Sequence, residues 1–291
     1  MPCTRHHSQY VYGASAYAVA AEFERPRKHS LPPQASVVLS AHGGHGTQRL
    51  SGQKVDGLIS FDAAYSEVGG SYDDCHDTYT THAWSVVEGL NVADMLTADR
   101  VVSRMAIYYP AHGRDEPSFD ITGSYFENLR IAGYPVNVKL DTQLLHEHDT
   151  YSKLAKGLQN PSAQCLLLGH GLRDMADEQL KDVENTYHAL TGMTRLVNGW
   201  RGKSKLAADG RIYRLSAANK IDFNGQAGSS EVKGYGAIVC IPKFGVVRLA
   251  EMIVHQHTRT LTMFQVQMCS SGRGTTTGGT SSGTGDSGTG G

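Results

Sequence analysis

The chain has 291 residues, 33 of them glycine, with 40% hydrophobic and 19% charged side chains and a formal net charge of −1. At this length roughly three quarters of the unfolded surface can be buried, in one large domain or two modest ones. The balanced charge argues against nucleic acid as a partner, since neutralising many phosphates takes a basic stripe, and no apolar run reaches the roughly 18 residues of a membrane span.

Residues 11–21 stand where a signal peptide would have its apolar centre, but Tyr12, Gly13, Ser15 and Tyr17 interrupt it, so classical secretion is unsupported. The alternation there predicts a strand. Three prolines, Pro26, Pro32 and Pro33, then remove donors and restrict their neighbours, so residues 1–33 read as an N-terminal strand and a proline-rich linker.

From Gln34 onward the pattern is that of short strands rich in β-branched and aromatic residues, at 37–39, 57–61, 83–87, 101–109 and 134–140. The period then changes to that of a helix through Leu144, Leu145, His148, Tyr151, Leu154 and Leu158, capped by Asp141 or Thr142 and ended by Asn160 and Pro161. A second helix carries Leu180, Val183, Tyr187 and Leu190 on one stripe and stops at Gly192. Strands resume at 211–215, 237–241, 246–254 and 261–268, the last two joined as a hairpin through 255–260. Residues 270–291 contain only Gly, Ser, Thr, one Arg and one Asp, which cannot offset their ordering entropy. The expected fold is mainly β and β-sandwich-like, α+β overall. It comprises a β-rich domain at 34–268, a two-helix insertion at about 141–192 and a disordered tail at 269–291.

The stretches WSVVEGLNV at 84–92 and LTADRV at 96–101 resemble the choice-of-anchor P family of bacterial β-rich domains. FENLRIAGYPV at 126–136, IPKFGVVRLAE at 241–251 and LTMFQV at 261–266 resemble further strand and hairpin units of that family. The chain is also similar to hypothetical proteins of soil bacteria. The resemblance implies a β-rich module at the cell surface or outside it, with no catalytic site to carry over; without it, the sequence points to the cytoplasm.

Five cysteines, Cys3, Cys75, Cys165, Cys240 and Cys269, form no CxxC pair, and Cys165 and Cys240 lie in apolar runs as core thiols. Among fourteen histidines, His255 and His257 are two apart, so on an extended segment they share a face and are the candidate metal ligands. Glu251 joins that face if the strand continues unbroken. His42 and His45 flank a glycine pair that reads as a turn, and His146 and His148 stand about 200° apart on a helix. Tyr72, Asp73, Asp74, Cys75, His76 and Asp77, with His82 beyond, read as a solvated turn lacking the spacing of a calcium loop. No GxSxG, P-loop, HExxH or papain- or caspase-type cysteine signature is present, and no catalytic or cofactor-binding residue is assigned.

Three functions follow as expectations. The first is a non-catalytic structural or interaction module that assembles with itself as a homo-oligomer and needs no cofactor. The second is a histidine-rich metal-binding protein or metal-dependent enzyme holding a divalent metal at His255 and His257. The third is a carbohydrate or surface-ligand binding module with Tyr72, Tyr79, Tyr108, Tyr109, Tyr125 and Tyr134 on its face.

Overall fold

The computed structural model describes residues 10–23, 29–55, 57–111, 116–160, 163–168, 170–172, 175–186, 212–223, 232–268, 272–274 and 279–283. The chain opens with β1 (Ala14–Tyr17), β2 (Val19–Phe23), β3 (His29–Gln34) and β4 (Val37–Val38). Four long strands follow, β5 (Gly44–Val55), β6 (Ile59–Asp73), β7 (Thr78–Val92) and β8 (Leu96–Pro110). Next come the short β9 (Ser118–Asp120), β10 (Tyr125–Glu127), β11 (Arg130–Ile131), β12 (Tyr134–Pro135) and β13 (Asn137–Leu140). Helices α1 (Thr142–Glu147), α2 (Tyr151–Gly157) and α3 (Asp177–Thr186) precede β14 (Tyr213–Ser216), β15 (Ala218–Asp222), β16 (Lys233–Tyr235) and β17 (Ile238–Ile241). The chain closes with β18 (Gly245–Val254), β19 (Thr258–Met268), β20 (Gly272–Gly274) and β21 (Gly279–Gly283).

The fold is mainly β with a small helical insertion. An antiparallel meander, β5 to β8, extended by β9 to β12, makes an eight-stranded sheet. A nine-stranded sheet runs β16-β17-β18-β19-β21-β1-β4, with β14 and β20 paired alongside. The sheets face one another, and residues such as Met105, Leu249, Met263 and Phe264, at most 1% exposed, fill the space between them. Strand alternation explains this, since β6 to β8 turn Val, Ala, Ile and Ser inward and polar or aromatic residues outward. The alternation slips by one residue between buried Phe61 and Ala64, Val87 and Leu90, and Ala98 and Val101. Ala63, Glu88 and Arg100 are thereby carried to the outer face.

Several expectations are corrected. The first helix is two, because Thr150 takes an extended conformation and its side chain accepts from Lys153 N, starting α2 afresh. In the second helix only Asp177–Thr186 is described, and Tyr187, Leu190 and Gly192 lie outside the described residues. Pro32 and Pro33 belong to strand β3, not to a linker; among the described residues β3 pairs with β2 alone, and a strand with one free edge tolerates residues that donate no hydrogen bond.

The tail also departs from its composition. β20 and β21 run antiparallel to β19, and β21 pairs on its other side with β1. Backbone hydrogen bonds, not apolar burial, hold it there. β21 lies close to β7 and β8, and on β6, β7 and β8 Ser66, Ser85 and Ser103 stand side by side in register, at most 1% exposed. Truncation after Met268 therefore removes a central strand and leaves β1 only its two register pairs with β4. With backbone hydrogen bonds each contributing about 0.5–1.5 kcal/mol net, chemical denaturation of the truncated chain should show a loss of about 3 kcal/mol or more. An unchanged midpoint would mean that the tail is no strand.

Candidate functional site

The outward residues of the meander form cross-strand rows. One row runs Arg49, Tyr65, Val86, Val102 and Tyr125 across β5, β6, β7, β8 and β10. A second, on one side, runs Ser51, Ala63, Glu88, Arg100 and Glu127, and a third, on the other, places Thr47, Glu67, Trp84 and Arg104 together. Over these rows lies a groove of about 290 Å³ lined by Arg49, Tyr65, Trp84, Glu88, Arg100 and Tyr125, with Ala63, Val86 and Val102 as its small apolar floor.

The aromatic wall is a fixed corner. Tyr65 and Trp84 meet edge to face, with ring centroids 5.7 Å apart and planes at 81°. Trp84 is 36% exposed and Tyr125 41%, unusual for large rings and confined here to one face. The corner is held from behind, because Tyr65 Oη donates to Glu67 Oε2 at 2.5 Å. The same carboxylate meets His45 Nε2 at 3.1 Å and His82 Nε2 at 3.5 Å through Oε1. His82 fits because residue 69 is glycine; a Cβ there would lie 2.2 Å from its Cε1. Burial raises the pKa of Glu67, but the hydrogen bonds from Tyr65, His45 and His82 and the charge of His45 outweigh it, so the carboxyl titrates below its ordinary range. Burial, then donation to Glu67 and the charge of Glu67, push the Tyr65 phenol up to about 12, so it stays a donor.

The opposite wall is charged. Arg100 grips Glu88 Oε1 through Nη2 and, at 3.2 Å, through Nε. Such a surface pair contributes little stability, but it holds a planar donor fork and a carboxylate side by side at the groove.

The sequence candidates scatter. His255 and His257 occupy the tip of the β18–β19 hairpin, ring centroids 6.3 Å apart. Glu251 does not join them. Ala250, at φ 48, breaks the regular pairing of β18, and Glu251, 4% exposed, takes Arg214 Nε at 2.9 Å. The tip is anchored by buried Arg259, which donates to the carbonyls of His255 and Thr258. Burial draws that guanidinium down to about 10 against the opposing charge of Glu116. His45 belongs to β5 and faces Glu67, whereas His42 lies in the preceding turn. Residues 74–77 are the β6–β7 turn, with Asp73 Oδ1 accepting from Cys75 N at 2.8 Å. Among the described residues no group of three or more His, Cys, Asp or Glu side chains is placed to hold a metal ion.

The tyrosines divide. Tyr108 and Tyr125 are on the outer face, 39% and 41% exposed. Tyr79 is buried, stacked on Tyr10 at 4.1 Å and flanked by Tyr72 at 4.9 Å, while Tyr109 lies 5.5 Å from Tyr10. Tyr134 is half-buried on β12. Arg49, Tyr65 and Trp84 were not among the sequence candidates; the available signal was Trp84 between Ala83 and Ser85, one large ring out of phase with two small inward residues.

No described helix is long and apolar enough to cross a membrane. Residues 10–255, most of the chain, match the family described as a domain of unknown function, DUF8256. No curated protein and no solved structure matches.

Proposed function

We propose that the chain, which belongs to the DUF8256 family, is a non-catalytic binding module whose outer sheet face holds a saccharide. The observation that carries the reading is the groove itself: Trp84, Tyr65 and Tyr125 around a floor of Ala63 and valines, with the Arg100–Glu88 pair at its side. A sugar ring has apolar C–H faces and a rim of hydroxyls. The exposed rings suit the first, and a guanidinium beside a carboxylate, donor and acceptor held in register, suits neighbouring hydroxyls.

The groove also supports binding without turnover. Glycoside hydrolysis ordinarily takes two carboxyl groups across the scissile bond, roughly 5–9.5 Å apart. Among the residues lining this groove Glu88 is the one carboxylate, and Arg100 holds it.

Trp84 is one of two tryptophans in the chain, so the part of the emission that a Trp84→Phe variant lacks reports on the groove. Titrating the full chain with a panel of soluble oligosaccharides should give a saturable change in tryptophan fluorescence for at least one, absent from a Trp84→Phe variant and with no shortened sugar released over hours. A panel in which nothing binds, or in which a bound oligosaccharide is cleaved, would overturn the reading.

A further inference from the structure

We infer that the saccharide on this face is anionic, bearing a ring carboxylate as a uronic acid does, and that Arg49 selects it; this rests on the saccharide reading above. Three charged side chains line the groove. Arg100 and Glu88 satisfy one another. Arg49, exposed on β5, makes no hydrogen bond or ion pair with any described residue. Glu67, the next carboxylate along the face, is taken by Tyr65, His45 and His82 and does not pair with Arg49. The groove therefore carries one uncompensated positive charge.

The position of that charge narrows the ligand. Arg49 and Tyr65 are directly opposite in register, which places their Cβ atoms about 5 Å apart. A uronate carboxylate is bonded directly to the sugar ring. Seating it on the planar fork of Arg49, which matches a carboxylate with two parallel hydrogen bonds, lays the ring against the Tyr65–Trp84 corner. The row from Arg49 to Tyr125 crosses four strand spacings of about 4.8 Å, room for several sugars in line.

The test is calorimetric titration of the full chain with galacturonate, glucuronate and mannuronate oligosaccharides, each beside its methyl ester, which keeps the sugar and removes the charge. The wild type should bind at least one acid form tenfold or more tighter than its ester. Arg49→Gln should bring the acid to the level that the same variant shows for the ester, with the unfolding midpoint unchanged. Equal affinity for acid and ester in the wild type, or a preference that survives Arg49→Gln, overturns the inference. Binding of neutral oligosaccharides alone overturns it while leaving the saccharide reading standing, and no binding of acid, ester or neutral sugar removes both. Tighter binding of a single-stranded oligonucleotide than of any saccharide also overturns it.

Discussion

Trp84→Ala should weaken binding of whichever saccharide the groove accepts by about 2 kcal/mol or more, roughly thirtyfold in Kd, while the protein stays folded. The reason lies in the place of the ring. Trp84 projects from the centre of the meander, one row from Val86 and Val102, and closes one side of the groove against Tyr65. Removing it takes away stacking area and opens the corner to water, losses typical of an aromatic anchor ringed by polar contacts. Its contribution to folding is smaller, since the ring is 36% exposed and such outer-face cross-strand pairs contribute about 0.2–1 kcal/mol. Titration with the saccharide, beside urea unfolding of the same variant, separates the effects. Undiminished affinity in a folded Trp84→Ala protein would move the site elsewhere.

The second large effect belongs to the other sheet. Gly245 begins β18 between β17 and β19 at φ 146, a backbone conformation that side chains rarely adopt. A Cβ there would lie 2.0 Å from the carbonyl oxygen of Gln267 and 2.8 Å from Met268 Cα. Both are backbone atoms, so no rotamer change relieves the overlap and the β18–β19 ladder must shift. Conformational strain of about 1–3 kcal/mol and overpacking of about 1–3 kcal/mol together predict that Gly245→Ala loses about 2–6 kcal/mol. At about 2–4 °C per kcal/mol for a domain near this size, the Tm should fall by about 5 °C or more. Gly44→Ala is the control: its φ is also positive, 97, but nothing lies within 4 Å of the added Cβ. A Gly245→Ala loss no greater than that of Gly44→Ala would show that β18 and β19 do not pack as described.

Much of the fold was legible because local pattern and final environment agree. The alternation in 83–87 and 101–109 matches the strands β7 and β8, and the apolar run around Cys240 is fully buried. Composition misleads where long-range pairing overrides it. Prolines at 32 and 33 read as a linker because a strand with one paired neighbour cannot be seen in advance, and the glycine-rich tail read as disordered because its partners, β1 and β19, supply backbone groups and not apolar surface.

The site was legible in part. The strand pattern marks Tyr108 and Tyr125 as aromatics on a sheet face, of which Tyr125 lines the groove, but Tyr79 looks no different in sequence and is buried against Tyr10. What separates them is register, together with the slip in alternation near Asp62, Gly89 and Asp99, which turns Ala63, Glu88 and Arg100 outward. Spacing singles out His255 and His257, whereas the carboxylate–imidazole cluster on the outer face of the meander joins residues from three different strands, His45, Glu67 and His82.

The pairing of β1 with β21 sets an order of events during synthesis. Residues 14–17 leave the ribosome more than 260 residues before residues 279–282 and cannot pair with them until the intervening chain has emerged. The β5–β8 meander, whose contacts are between sequence neighbours, can form while translation continues, but closure of the opposing sheet waits for residues 279–283. A stalled or prematurely ended polypeptide would therefore display the strand edges of β1 and β19, unpaired backbone of the kind that recruits quality-control chaperones or other nascent chains.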